Sequence, residues 1–285
     1  MIYVCADDYG ISAKSNSRIK ECLDNGALNK VSVLANGELG DFQQDLVGAH
    51  LSLHLNLLEG KALSDPKEIP LLASEEGYFK SSFGKMLFQS VTGRRKELEN
   101  QLYKEMRAQL MVWKQHMGQN TPLSVDSHQH VHMIPLIFKT LLRVIKDESL
   151  AVKSLRIPAE PLMPYILTPS LYFAYKPIGL IKQWTLEFFG LLNHSALKRS
   201  NIPYAYFMGV MFSGRMTEEK IKKLLPKYGK LAQKQGRDIE IALHPGYMEP
   251  GERLIAGAKT SFETFYYSPN RKAEFETLMH IGVKQ

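Results

Sequence analysis

Cysteine is scarce in this chain of 285 residues: Cys5 and Cys22 are the only two. Two thiols cannot staple a disulfide scaffold, and their spacing fits no metal-binding pattern, so a reducing, cytoplasmic setting is expected. Long apolar runs are lacking as well. The most apolar stretch, Leu162 to Leu192, is interrupted by Pro164, Pro169, Lys176, Pro177, Lys182 and Glu187. No clean run of the roughly 20 residues needed by a membrane-spanning helix is left. A secretory leader is not expected either, because Asp7 and Asp8 fall where its apolar stretch would have to continue. The chain has no internal repeat, low-complexity tract or Gly/Ser linker. Its 36 Lys and Arg against 29 Asp and Glu give a net charge of +7, but the basic residues are scattered. Without a basic stripe interleaved with aromatics, a nucleic-acid partner is not expected. The remaining composition, 44% apolar and 23% charged, is that of a globular protein and excludes a disordered or fibrous chain.

Short apolar runs alternate with helical patterns from end to end. That alternation predicts βα units and a largely parallel sheet in one domain over residues 1–285. Seven strands are expected, at Ile2–Ala6, Val31–Ala35, Gly48–Leu55, Leu123–Asp126, Ser154–Ile157, Pro203–Met208 and Ile239–Leu243. Helical periodicity marks Ala13–Asn25, Arg95–Met117, Pro135–Asp147, Ile178–Leu192, Glu218–Gln235 and Arg271–His280. Beyond Tyr247 the chain is short of another full βα unit. Two insertions stand out, Ser64–Thr92 and Glu160–Asn201 (residues 64–92 and 160–201). The second is the most aromatic part of the chain. Its helix is expected to turn Ile178, Ile181, Trp184, Phe188 and Leu192 toward the core; the alternative is that these side chains stack on sugars or grip a lipid.

The unusual polar residues follow strand ends. Asp7 and Asp8 follow the first strand, His54 closes the third, and Asp126, His128, His130 and His132 follow Leu123–Val125. Arg156 ends the fifth strand and His244 follows the seventh. Ligands of parallel α/β folds gather at that edge. Adjacent Asp7 and Asp8 should point opposite ways in extended chain, so one can ligate a cation while the other takes a proton; a plain turn uses the same residues. His54 shares a strand face with His50 and Asn56, as a ligand or as a packed histidine. The Asp126–His132 cluster is more specific: so many ionisable groups in so short a stretch suit a divalent ion. Neighbours of the ligating residues can hold them through the second ring nitrogen. His244, stopped by Pro245 and Gly246, is either a proton donor or a turn cap. Arg156 either orients Asp7 or a nearby carboxylate, or makes a surface ion pair.

Four motifs, Ala6-Asp-Asp-Tyr-Gly10, His54-Leu-Asn-Leu-Leu-Glu-Gly60, Asp126-Ser-His-Gln-His-Val-His132 and Leu243-His-Pro-Gly246, together resemble the YdjC-like family of carbohydrate deacetylases, which includes chitooligosaccharide deacetylases. Val33-Leu-Ala-Asn-Gly37 and Phe207–Gly214 also look like segments of that family, and the resemblance runs from Ile2 to Tyr247. It implies a distorted (β/α) TIM-like barrel and a single divalent ion held by Asp8, His54 and His128. By the same resemblance Asp7 is the catalytic base and His244 the general acid. Asp126, His130, Arg156 and Asn36 would hold the ligands from behind or touch substrate. Members are usually credited with magnesium, whereas two imidazoles suit zinc equally. The implied reaction is hydrolysis of an N-acetyl group on an amino sugar or oligosaccharide. The ion would activate water and stabilise the oxyanion, with Asp7 taking a proton and His244 giving one. A glycolipid substrate and a homodimer are further expectations. The rivals are another metal-dependent hydrolase, such as a phosphoesterase, and a non-catalytic sugar-binding barrel.

Overall fold

A computed structural model of the chain describes residues 1–256 and 260–281, with side chains in the second stretch from Glu263 onward. Seven strands are present: β1 Ile2–Tyr9, β2 Lys30–Val33, β3 His50–Leu55, β4 Leu123–Ser127, β5 Val152–Leu155, β6 Tyr206–Met208 and β7 Ile239–Leu243. The helices are α1 Ala13–Asp24, α2 Phe42–Asp45, α3 Phe83–Ser90, α4 Arg95–Met117, α5 Pro135–Asp147, α6 Met163–Ile166, α7 Pro177–Ser200, α8 Glu218–Gln235, α9 Thr260–Tyr266 and α10 Pro269–His280.

All paired strands are parallel, in the order β5-β4-β3-β2-β1-β7-β6. The sheet therefore curls through six neighbours and stops between β5 and β6. A single bond from the Leu155 N–H to the Pro203 carbonyl (3.0 Å) draws the two edges together. β6 starts at Tyr206 rather than at the expected Pro203, because its partner β7 starts at Ile239, the residue opposite Tyr206, and Pro203 has no N–H to extend a ladder. The result is a single-domain α/β fold, a distorted TIM-like barrel open along one side.

Alternation along each strand separates two environments. Val4, Ala6, Val31, Val33, Leu53, Leu55, Val125, Ile239 and Ile241 are buried in the main hydrophobic core, on the helical side. The concave face is polar: Asp7, Lys30, Ser32, Ser52, His54, Asp126, Arg156 and Glu240 are buried there together. The insertion after β3 is tied to α4 by two buried side chains. Glu105 accepts from the Leu63 and Ser64 N–H groups (3.1 and 2.9 Å) and Gln101 from that of Leu71 (2.7 Å).

In the second insertion the expectation for α7 is overturned. Ile178, Ile181, Trp184, Phe188 and Leu192 are half or more exposed, and the buried face is instead Gly179, Gln183, Leu186, Phe189, Asn193 and Leu197. The physical reason is close approach. A Cβ on Gly179 would lie 2.8 Å from the Met211 carbonyl oxygen, while Gln183 and Asn193 donate to the buried carbonyls of Glu160 (2.7 Å) and Met133 (2.8 Å). The inward face thus joins apolar Leu186, Phe189 and Leu197 to a glycine and two amides whose buried carbonyl partners would otherwise go unsatisfied.

Candidate metal centre and catalytic groups

At the C-terminal end of β1 the chain leaves the extended conformation. Asp8 has φ of 71°, and the β1–β2 register shifts between Ala6 and Tyr9. Such bulges re-aim side chains beside active sites. The two aspartates consequently do not diverge as extended chain would have them; both come within ligand range of His54. Their partners still differ, so the division of labour survives. Close to this turn, a Cβ on Gly37 would sit 2.6 Å from the Gly10 carbonyl, so the β2 loop can cross the end of β1 only with glycine there.

Asp8 Oδ1 faces His128 Nδ1 at 2.8 Å and His54 Nε2 at 3.3 Å. His54 is oriented from behind: its Nδ1 donates to Asp126 Oδ1 at 2.6 Å. Asp126 Oδ2 in turn accepts from Ser32 (2.7 Å) and Ser52 (2.8 Å). A carboxylate behind a ligating imidazole fixes its tautomer and aim. One carboxylate and two imidazoles, all buried and with ligand atoms within 4.8 Å of one another, fit a divalent first-row cation. Burial opposes charge on both histidines. Hydrogen bonds to Asp126 and Asp8 nevertheless raise His54 to about 9, and the charge of Asp8 raises His128 to about 10. The surrounding carboxylates thus favour positive charge at this point, and a divalent ion would take the place of the two imidazole protons.

Asp7, Asp126 and His54 form the other possible donor group among the described residues, but its carboxylates are already engaged. Arg156 donates to both oxygens of Asp7 (2.7 and 2.8 Å) and lies 3.2 Å from Asp126. It also donates to Glu240 Oε1 (2.7 Å), whose other oxygen accepts from Lys30 (2.8 Å). Arg156 is 3% exposed, which removes the surface ion-pair reading. Burial would raise the Asp7 pKa, but the guanidinium overrides it and keeps this carboxylate below its usual range. With both of its oxygens taken by Arg156, Asp7 has none left to offer a cation.

The three histidines after β4 have three different placements. His128 faces Asp8 and, through Nε2, Glu59 at 3.3 Å. His130 has φ of 56° and its ring meets the face of Phe207 edge-on at 5.5 Å. Burial holds it neutral, and its Nδ1 has no hydrogen-bond partner among the described residues. His132 is a brace: Ser127 Oγ donates to its Nδ1 (2.5 Å) and its Nε2 donates to the Arg156 carbonyl (2.8 Å). Asn36 lies outside the cavity wall; it donates to the Glu59 and Lys61 carbonyls (3.1 and 3.0 Å), fixing the loop that carries Glu59.

His244 is half-buried at the end of β7, its backbone N–H donating to Glu274 (2.7 Å) and its ring edge-on to Phe265. Asp7, Asp8, His54, His128, His130 and His244 all line one cavity of about 510 Å3, whose wall also includes Phe83, Ile181, Leu186, Val210 and Phe265. A hollow of about 740 Å3 at the opposite, N-terminal mouth of the barrel contains neither donor group.

Sequence reasoning missed four groups. Arg271, fully buried on α10, pairs with Asp8 Oδ2 and stacks on Phe265 and Tyr266 at 4.4 and 4.3 Å. Glu274 holds the His244 backbone; Glu59 touches His128; Glu240 braces Arg156. For Glu59 and Glu240 a signal existed, since each is a lone acid in an apolar run. Arg271 and Glu274 sit in an ordinary-looking charged helix.

A profile of the YdjC-like protein family matches residues 1–285. The chain belongs to the YdjC-like family. Among its relatives, a carbohydrate deacetylase of Danio rerio is 24% identical over 97% of this chain and 91% of its own length. A chitooligosaccharide deacetylase of Escherichia fergusonii is 30% identical over 54% of this chain and 58% of its own. A carbohydrate deacetylase of Mus musculus is 31% identical over 56% and 51%, so these two YdjC-like alignments span only about half of either relative. A solved structure from Enterococcus faecalis, of a protein provisionally described as a cellobiose-phosphate cleavage protein, superposes with a TM-score of 0.66 over 99% of this chain and 92% of its own. At 18% identity it supports the fold alone.

Proposed function

We propose that this YdjC-like protein is a divalent-metal-dependent hydrolase that removes N-acetyl groups from an amino sugar or oligosaccharide. The observation that carries the reading is the convergence, in one cavity, of the Asp8–His54–His128 donor set with the Arg156-bound carboxylate of Asp7 and the imidazole of His244. The names of the relatives agree with it.

When bound, a divalent ion supplies a Lewis acid that polarises an acetyl carbonyl and makes water a better nucleophile near neutral pH. Asp8, His54 and His128 would hold that ion, with zinc and magnesium both compatible with the donors. Asp7, ionised and locked by Arg156, accepts the proton of the attacking water. The C–N bond then breaks, and His244 donates a proton to the departing nitrogen, leaving acetate and a free amine. The backbone bond to Glu274 and the edge contact with Phe265 fix where that imidazole stands. Arg156 beside the second donor group argues for one ion rather than the paired ions of many phosphoesterases.

Acetate release from N-acetylated chitooligosaccharides tests the reading. Activity should appear with an added divalent ion, vanish with chelator, and fall at least 10³-fold in His128→Ala. Full activity in that variant, or in excess chelator, would remove the metal-centred scheme.

A further inference from the structure

The outward stripe of α7 calls for an occupant. Ile178, Ile181, Trp184, Phe188 and Leu191 recur at helical spacing, and Trp184, Phe188 and Leu191 are 62%, 56% and 70% exposed. Large side chains half out of water present on the order of 100 Å2 apiece, so the stripe reaches the roughly 300–600 Å2 of the largest patches on ordinary monomers, which are often functional. Charge is almost absent around it. From Pro161 to Asn193 the only charged residues are Lys176, Lys182 and Glu187.

The stripe is continuous with the cavity that holds the catalytic groups. Ile181 is 57% exposed and yet lines that cavity, beside Lys182, Thr185 and Leu186. The cavity accordingly combines carboxylates and imidazoles from the strand ends with the apolar side chains of Phe83, Val210 and Phe265 and of Ile181 and Leu186 on α7, the last two flanking Lys182 and Thr185. Hydroxyls need polar partners when they lose water, and the isoleucine and leucine side chains of the stripe supply none. A hydrocarbon chain needs only surface. A second copy of the protein seated on the stripe would also cover Ile181, which belongs to the cavity wall.

We infer that the substrate is amphiphilic, an N-acetylated sugar bearing a hydrocarbon chain, the sugar entering the cavity and the chain lying along the exposed face of α7. The inference rests on the deacetylase reading above and narrows it.

The test compares methyl and octyl N-acetyl-β-glucosaminides, both below any micelle concentration, and N-acetylchitotetraose, with the divalent-loaded protein, following amine release. A methylene taken fully out of water contributes about fourfold, so even partial coverage of the octyl chain predicts kcat/KM roughly tenfold or more above the methyl glycoside. The triple variant Trp184→Gln/Phe188→Gln/Leu191→Gln should bring that ratio down to about one. The alkyl comparison on the unaltered protein stands without the variant, should the variant fold poorly. Equal turnover of methyl and octyl glycosides overturns the inference and leaves the deacetylase reading intact. So does a gain found with chitotetraose but not with the octyl chain, or an octyl preference that the triple variant keeps. A dimer in sedimentation that the triple variant abolishes assigns the stripe to self-association and likewise overturns it. If no N-acetyl substrate is hydrolysed with any divalent ion, the deacetylase reading itself fails.

Discussion

Arg156 sets a single delocalised cation among Asp7, Asp126 and Glu240, all buried. Removing one member of such a group strands the others without water or partner, at a cost of about 3–5 kcal/mol. Arg156→Ala should therefore lower unfolding free energy by about that amount in urea. Arg156→Lys keeps the charge but cannot reach Asp7 with two donors and Glu240 with a third. It should recover most of the stability while kcat stays depressed and KM changes little, because Asp7 loses its aim rather than the cavity its shape. Equal recovery of both would make Arg156 purely structural. His132 poses a separate question of sign. Burial lowers its pKa from 6.5 to about 4, so the unfolded chain takes up a proton that the native one refuses as pH falls from 6.5 toward 4. The contribution is present above pH 6.5 and lost on acidification, up to about 3 kcal/mol. His132→Gln has no such titration. The stability gap between the two proteins should narrow from pH 7 to pH 4.5; a constant gap would mean that His132 takes up its proton equally readily in the folded and unfolded chain.

At the level of elements, α7 packs a helix against the barrel by its small and amide-bearing side. Alanine is intrinsically better than glycine in a helix by about 1 kcal/mol, yet at Gly179 the added Cβ meets the backbone oxygen of Met211 at 2.8 Å. Overpacking against backbone typically costs about 1–3 kcal/mol, so Gly179→Ala should lower the melting temperature rather than raise it. The same helix explains where sequence reading stops. Strands were legible because one face of each is apolar and loops bound the runs; Ile239–Leu243, Arg95–Met117, Pro135–Asp147 and Glu218–Gln235 lie where the pattern put them. That Asp8, His54 and His128 gather at one end of the sheet was legible because they sit in compact motifs at strand ends, and the family resemblance named them as a set. The orientation of α7 was not, since the apolar stripe points outward while Gln183 and Asn193 answer carbonyls on distant elements. On α10 likewise, Arg271 and Glu274 face inward, and nothing in a charged helix tells a buried charge from a solvated one. Periodicity reports which residues share a face, not what that face meets.

Across the whole molecule, the centre is assembled from both ends of the chain. Asp8 leaves the first strand and is met by Arg271 from α10, 263 residues later; His244 is held by Glu274 of the same helix. α10 packs on α1 and α8, so it covers the barrel beside β1 and β7, the two strands that carry Asp8 and lead into His244. The Asp8–Arg271 pair is fully buried, and hydrogen bonds between charged groups contribute roughly 1.5–3 kcal/mol. A double-mutant cycle isolates that contribution. Asp8→Asn and Arg271→Gln should each destabilise the metal-free protein, and the double variant should fall short of their sum by at least about 1 kcal/mol. Denaturant midpoints with unchanged slope would show that the fold is otherwise kept. Because Arg271 draws on the same carboxylate that faces His54 and His128, Arg271→Gln should also tighten zinc binding measured by calorimetry, as one competing cation is withdrawn from Asp8. Additive stabilities would mean that the two residues do not touch, and weakened zinc binding would mean that Arg271 chiefly serves to hold Asp8 in place.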